Sequence, residues 1–177
     1  MPPQQDVLFV EGIPADDVGY RPPTACAVAG ISYRQLDYWA RTNFVLPTIR
    51  DASGSGTQRL YSFRDIALLK VVKRLLDSGV SLQKVRAAVD RLRERGVSDL
   101  SDVTLMSDGN TIYECTSDQE VIDLVRGGQG VFGIAVDKVI HEVEGTLAAL
   151  PGERADVSAT EHPGDELASR RRRRTSA

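Results

Sequence analysis

The sequence has little of the material from which catalytic, metal-binding or secreted proteins are built. It holds two cysteines, Cys26 and Cys115, and two histidines, His141 and His162. No two of them stand at metal-ligand spacing, and the cysteines form no disulfide framework. No apolar run approaches the roughly 18 residues that a membrane helix needs. We therefore expect no metal ion, no cofactor and no membrane, and a reducing, cytoplasmic compartment.

Catalytic motifs are equally scarce. The glycine-rich stretches 53–56 and 127–130 are not followed by the Lys-Ser/Thr pair of a phosphate-binding loop. No carboxylate pair and no Ser/His/Asp set can be assembled. The amino-terminal residues 1–17 are proline-rich and acidic, which argues against a secretory signal. The sequence favours a protein that binds a partner and is not an enzyme.

Charge is distributed unevenly along the chain, although the net charge is only −3. Residues 21–96 hold 14 Lys/Arg against 6 Asp/Glu, a net of +8. Residues 97–150 hold 2 Lys/Arg against 10 Asp/Glu, a net of −8. Such asymmetry suggests that the basic half meets a polyanion. The alternative is a solvated, charged helical surface.

Two short helices open the basic half. The pattern predicts one helix over 25–29, capped by Thr24, and a second over 33–42. Ser32 begins the second helix with a capping-box pattern, and Gly30 separates the two. Helices joined by such a tight turn are typical of the helix-turn-helix.

A hairpin and two longer helices follow. Residues 44–50 and 58–61 read as extended arms around the flexible tip 53–57, which makes a wing. Its arms carry Arg50 and Arg59.

The two longer helices are amphipathic, with apolar stripes at helical spacing and basic residues elsewhere. Ser62 caps the first, which ends at Gly79. Ser81 caps the second, which ends at Gly96.

The acidic half predicts a small α+β unit. Residues 103–106 and 111–115 flank an Asp-Gly turn and form a hairpin. A helix capped by Ser117 runs to about Arg126, and a last helix covers 134–150. Its apolar residues are spaced 4, 3, 4, 3, as in a heptad seam: Val136, Ile140, Val143, Leu147 and Leu150. We expect this seam to pair two subunits, and the alternative is a helix packed on its own hairpin.

The expected fold is mainly α. A winged helix-turn-helix head of four helices and a β-hairpin wing covers 21–96, and a hairpin-helix-helix module covers 97–150. The flanks 1–20 and 151–177 lack apolar periodicity and are expected to be disordered. The polyarginine run 170–174 either adds a salt-sensitive grip on DNA or is a dispensable tail.

The motifs of the head resemble those of the MerR family of bacterial transcription regulators, in particular its effector-poor actinobacterial members. The resemblance covers about residues 22–95, in the family's order and nearly its spacing. It rests on Gly30-Ile31-Ser32, Leu36, Tyr38-Trp39, Phe44-Val45-Leu46-Pro47, Arg59-Leu60-Tyr61-Ser62-Phe63, Asp65, Gly79-Val80-Ser81-Leu82 and Val85-Arg86. It implies a dimer whose second helix reads the major groove while each wing grips the flanking backbone. It also implies promoters with an overlong spacer, which the dimer bends and untwists for RNA polymerase.

Carried over by position, the resemblance places Tyr33 and Arg34 in the groove. The full set of expected DNA contacts is Tyr33, Arg34, Tyr38, Arg41, Arg50, Arg59 and Tyr61. Two positions depart from the family pattern: Asp37 stands where arginine is usual, and Gln58 where tyrosine is common. The module also lacks the cysteine-bearing loop of the metal and oxidant sensors in this family.

The sequence therefore predicts a homodimeric, sequence-specific regulator of transcription in the cytoplasm, at the nucleoid. Its partners are double-stranded promoter DNA and, as a further candidate, RNA polymerase. One alternative is a nucleoid-associated or adaptor protein whose acidic module binds a protein. Another is a ligand-gated regulator that holds a small molecule in residues 103–133.

Overall fold

A computed structural model gives the fold of the chain. It describes residues 9–10, 13–14, 17–52, 58–95, 100, 102–127 and 132–154. The predicted wing tip and the polyarginine run lie outside these residues.

The structure is mainly helical, as predicted. Its helices are α1 (Pro22–Ala29), α2 (Tyr33–Arg41), α3 (Phe63–Asp77), α4 (Leu82–Arg93), α5 (Asp118–Arg126) and α6 (Val136–Leu147). Both predicted capping boxes form, at Ser32 and at Ser62. Helix α1 begins earlier than predicted because Pro22 and Pro23 occupy its first turn, where a missing N–H costs nothing. Within the described part of the chain, no helix has the length and apolar character to cross a membrane.

Three short strands form the sheet of the acidic half. They are β4 (Thr104–Ser107), β5 (Ile112–Cys115) and β6 (Phe132–Ala135), all antiparallel, in the order β5-β4-β6. The predicted hairpin is confirmed, but β6 was missed, and the last helix starts at Val136 instead of 134. Four residues give too short a pattern to distinguish a strand from the first turn of the following helix.

The chain flanks contribute further strands. These are β1 (Phe9–Val10), β2 (Ile13–Pro14), β3 (Val18–Gly19) and β7 (Glu153–Arg154), with β1 paired to β2 and β3 to β7. Tyr20 continues from β3 and exchanges two backbone hydrogen bonds of 2.8 Å with Tyr61. The prediction that 1–20 and 151–177 are disordered is therefore wrong for these strands. Backbone pairing to a distant segment has no signature in local periodicity.

The predicted seam of α6 lies inside the chain. Val136, Ile140, Val143 and Leu147 are all buried and belong to one apolar core that also includes α1 and α3 residues. Only Leu150 is partly exposed. The prediction that these five residues pair subunits needs correction: α6 packs against α3 of its own chain, so the seam is already covered.

The opposite charges of the two halves also meet within the chain. Glu114 of β5 lies 2.7 Å from Arg91 and 3.1 Å from Arg95. Glu142 of α6 pairs with Lys70 at 3.5 Å and with Arg74. Part of the basic charge that suggested a polyanion is thus neutralised by the acidic half.

Candidate nucleic-acid interface

Helix α2 presents an exposed face of aromatic and basic residues. Its opposite face, formed by Leu36, Trp39 and Ala40, is buried. The exposed face holds Tyr33, Arg34, Tyr38 and Arg41, and we call these four residues the α2 face. Tyr33 is 61% and Tyr38 49% exposed, an unusual state for large aromatic side chains in a folded protein. Arg34 is exposed and forms no ion pair within the described part of the chain.

Asp37 lies in the middle of the α2 face by helical geometry. Its two carboxylate oxygens bind two arginines: Oδ2 lies 2.9 Å from Arg41, and Oδ1 lies 3.0 Å from Arg59. The hydrogen bond from Arg59 holds the pKa of this carboxyl below its usual value. The sequence identified Asp37 as a departure from the family pattern, and the structure shows what it contacts.

The predicted wing arms, 44–50 and 58–61, pair through an isolated bridge between Arg50 and Leu60, and neither forms a regular strand. We call residues 48–52 and 58–61 the hairpin arms, and Arg59 of the second arm contacts Asp37 of α2. Arg50 and Leu60 are antiparallel partners, joined by backbone hydrogen bonds of 2.8 and 3.2 Å. The Arg50 Nε also donates to the carbonyl of Gln58 at 2.9 Å. The Arg50 residue is half-buried, and its backbone and side-chain hydrogen bonds join the two arms.

The second arm holds two of the predicted DNA contacts, Arg59 and Tyr61, and the structure buries most of the first and all of the second. The Arg59 side chain is 18% exposed and points at Asp37. Tyr61 is fully buried, and burial raises its pKa to about 12. The prediction that Tyr61 grips the DNA backbone needs correction, since its side chain fills the core and only its backbone pairs, with Tyr20.

Asp65 anchors the first hairpin arm to the start of α3. Its buried carboxylate accepts hydrogen bonds from the backbone N–H of Thr48 at 2.8 Å, the Thr48 hydroxyl at 2.8 Å and the backbone N–H of Ser62 at 2.9 Å. Burial raises the pKa of Asp65, while these hydrogen bonds favour its charged form. The capping pattern predicted the bond to Ser62, but the bonds to Thr48 depend on tertiary structure.

Arg86 of α4 supports the end of α2. It donates to the Thr42 carbonyl at 3.2 Å and to the Thr42 hydroxyl at 3.0 Å, and its guanidinium lies 4.7 Å from the centre of the Phe44 ring. The chain turns between these residues at Asn43, whose φ is +54°. Arg86 is one of the basic residues predicted to lie off the apolar stripe of its helix, and it belongs to the motif that carries the resemblance, but the pattern gave no sign of its contacts with Thr42 and Phe44.

The cysteines lie apart from this face, Cys26 in α1 and Cys115 in β5. Burial raises the pKa of both thiols. Over the described ranges, no three His, Cys, Asp or Glu residues gather into a metal-ligand group.

One family model and several known proteins match this chain. Residues 20–92 match the model of the MerR HTH family regulatory protein. The chain is 60% identical over 174 residues to the uncharacterized HTH-type transcriptional regulator Rv1830 of Mycobacterium tuberculosis (strain ATCC 25618 / H37Rv), covering 97% of this chain and 77% of the relative. The uncharacterized HTH-type transcriptional regulator Mb1861 of Mycobacterium bovis matches with the same identity and coverage.

A more distant relative is the HTH-type transcriptional repressor CarH of Myxococcus xanthus. It is 35% identical over 136 residues, which cover 77% of this chain and 42% of the repressor. The family model spans the helix-turn-helix and the two helices that follow it, and the mycobacterial matches extend through the acidic half as well. The chain therefore belongs to the MerR family of bacterial HTH-type transcriptional regulators.

Proposed function

We propose that the chain is a homodimeric, sequence-specific regulator that binds promoter DNA through a winged helix-turn-helix. The α2 face is the observation that carries the proposal: it is the one part of the described surface where two exposed tyrosines stand beside exposed arginines. An arginine at such a position donates two hydrogen bonds to guanine in the major groove, while tyrosine holds phosphates.

Each side chain has its own role in this proposal. Tyr33 and Arg34 enter the groove from the first turn of α2. Tyr38 and Arg41 hold the flanking phosphates. Arg59 and Arg50, in the hairpin arms that act as the wing, bind the next stretch of backbone. A regulator that acts on promoters works in the cytoplasm, at the nucleoid.

The experiment is a binding titration on promoter fragments with the full chain. Arg34→Ala is expected to weaken specific binding by about 1–3 kcal/mol and to relax the preference at one base pair. Lys73→Ala is the matched control, because Lys73 pairs with Asp77 of its own helix at 2.6 Å. Full, sequence-specific affinity in an Arg34→Ala/Arg59→Ala double variant would contradict the site.

The proposal includes distortion of the promoter: the bound dimer bends and untwists the DNA, so that RNA polymerase can align with both promoter elements. Footprinting on the bound promoter tests it directly. A discrete protected site with hypersensitive cleavage at its centre is expected. Diffuse, salt-labile coverage would instead favour a nucleoid-associated protein.

A further inference from the structure

The exposed large apolar residues fall into two groups along the chain. Tyr33, Tyr38 and Leu46 belong to the head, at or just after α2. The others are Ile122, Val125 and Phe132, which are 41%, 51% and 42% exposed. The proposed DNA contacts include Tyr33 and Tyr38 of the first group and no residue of the second group, so the second group requires a different explanation.

Helix α5 carries two residues of the second group and buries none of its nine residues. Ile122 and Val125 lie on one face of the helix, together with Asp118 one turn earlier. A nine-residue helix is marginal in water unless an apolar face packs against a neighbour. The face of α5 that carries Ile122 and Val125 therefore lacks the partner that its composition calls for.

An open groove of about 700 Å³ lies on the same acidic half. It is lined by the end of α3, through Arg74, Asp77 and Ser78, and by residues 132–135 with Lys138 of α6. Its apolar side chains are those of Phe132, Ile134 and Ala135, and Phe132 is 42% exposed. Strand β6 borders the groove at one edge of the sheet, whereas α5 contacts β5 at the other edge. The chain's own α5 therefore does not fill its own groove.

We infer that α5 of a second copy of this chain docks in the groove, and that α5 of the first copy docks in the groove of the second. A two-fold axis makes such an exchange self-consistent, because each chain supplies both the helix and the groove. The contact is then made twice, which helps to reach the roughly 800 Å² per partner of a stable interface. The inference rests on the proposed function, because that function requires a homodimer. The α6 seam is buried inside the chain, so the dimer has to form through another surface.

Charge complementarity supports a second copy as the occupant. Asp118 on the exposed face of α5 and Lys138 at the groove both lack an ion pair in the described part of the chain. The helix carries Asp118, Glu120 and Asp123 against one arginine. Of the two cations that line the groove, Arg74 already pairs with Glu142, so Lys138 is the cation that meets the helix. In the docked dimer Asp118 of one chain pairs with Lys138 of the other.

A charge exchange tests this pairing in the full-length chain by sedimentation equilibrium. Asp118→Lys and Lys138→Glu are each expected to raise the dimer dissociation constant by about tenfold or more, because each brings like charges together. The double variant restores opposite charges and is expected to recover the dimer. Both positions are on the surface, and circular dichroism checks that the fold is intact.

An apolar variant gives a second, independent readout. Val125→Asp is expected to yield a monomer, whereas Leu46→Asp, at a residue 39% exposed in the head, leaves the dimer unchanged. The inference is overturned if the wild-type chain is monomeric at a concentration of tens of micromolar. It is also overturned if the Val125→Asp variant and the Lys138→Glu variant both remain dimeric. Loss of DNA binding in a chain that still dimerises through α5 overturns the proposed function alone, so the two failures are distinguishable.

Discussion

Asp37 of α2 and Arg59 of the second hairpin arm form an ion pair of 3.0 Å across the candidate DNA-binding face. The same carboxylate holds Arg41 at 2.9 Å. A single acid thus neutralises two of the arginines that we expect to contact phosphates, and it ties the hairpin arm to the recognition helix. A phosphate that binds either guanidinium in this arrangement meets the negative charge of Asp37 beside it.

Asp37→Asn is therefore expected to strengthen nonspecific DNA binding. The substitution removes a negative charge from the face and the ion pairs of Asp37 with Arg41 and Arg59, although Arg59 keeps Asp51 at 3.9 Å. The slope of log K against log salt should therefore steepen by about 0.9 for each additional phosphate that the protein neutralises. Fluorescence anisotropy over a salt series measures this slope. Asp90→Asn is the control, because Asp90 pairs with Arg93 of α4. A weaker complex with an unchanged slope would mean that Asp37 acts only by positioning the arm.

Tyr61→Phe is expected to leave DNA affinity unchanged, since the Tyr61 side chain is fully buried. Its effect should be on stability in alkali. With a pKa of about 12 in the fold against an ordinary 10.0, Tyr61 keeps its proton in the folded state while the unfolded state loses it. The stabilising contribution, about 2–3 kcal/mol, is present below pH 10 and is lost as the pH rises toward 12.

Urea unfolding at pH 8 and at pH 11 measures the effect for wild type and Tyr61→Phe. The wild type should lose more stability between the two pH values than the variant does. Equal losses would show that Tyr61 does not titrate as its burial implies, and reduced DNA affinity in the variant would return it to the interface.

Asp65→Ala is expected to lower the free energy of unfolding by about 2–3 kcal/mol, because it removes the carboxylate that accepts from the Ser62 N–H in the α3 capping box and accepts both hydrogen bonds from Thr48. Asp65→Asn keeps an acceptor oxygen and should lose less. Chemical denaturation measures both. If Asp65→Ala lost no more than a surface substitution, the anchor between the first arm and α3 would not exist.

How far the sequence predicts this molecule depends on the range of the interactions. The caps at Ser32 and Ser62 are local, and the residues that form them stand three apart in the chain, so the pattern predicted them correctly. The prediction was wrong for Thr24, which lies inside α1, and Ser81 stands at the predicted position but makes no side-chain cap hydrogen bond. The α6 seam shows the limit. Its heptad spacing correctly indicated one apolar stripe, but the same stripe suits a partner subunit or the chain's own α3, and only the fold distinguishes them.

The candidate site divides in the same way. The exposed residues of α2 followed from helical periodicity and the resemblance. The burial of Tyr61 depends on Tyr20, which is 41 positions earlier and lies in a segment without a periodic signal. Likewise, the uneven charge of the two halves suggested that the basic half binds a polyanion. The ion pairs of Glu114 and Glu142 with arginines of the basic half show that part of this charge is neutralised inside the chain.

Glu114→Gln is expected to destabilise the fold by about 1–2 kcal/mol, since this mostly buried carboxylate pairs with both Arg91 and Arg95 and joins β5 to the end of α4. Asp77→Asn is the matched control: it removes an exposed ion pair within α3, which is worth about 0.3–0.5 kcal/mol. Thermal unfolding at low and high salt measures both. Equal effects of the two substitutions would show that the contact between the halves does not depend on Glu114.

Gly19 and Gly145 offer opposite tests of packing. A Cβ at Gly19 would lie 2.6 Å from the Leu60 Cβ and 2.8 Å from the Ile49 Cγ2, so Gly19→Ala must push β3 away from the hairpin arms. We expect a loss of about 1–3 kcal/mol, as for other overpacked sites. Gly145 lies within α6 with nothing near its would-be Cβ, so Gly145→Ala should stabilise the fold by about 0.5–1 kcal/mol. Both substitutions add the same methyl group, and thermal unfolding measures both. If Gly19→Ala did not lower the melting temperature, β3 would not pack beside the arms. The backbone hydrogen bonds between Tyr20 and Tyr61 would then also be in error.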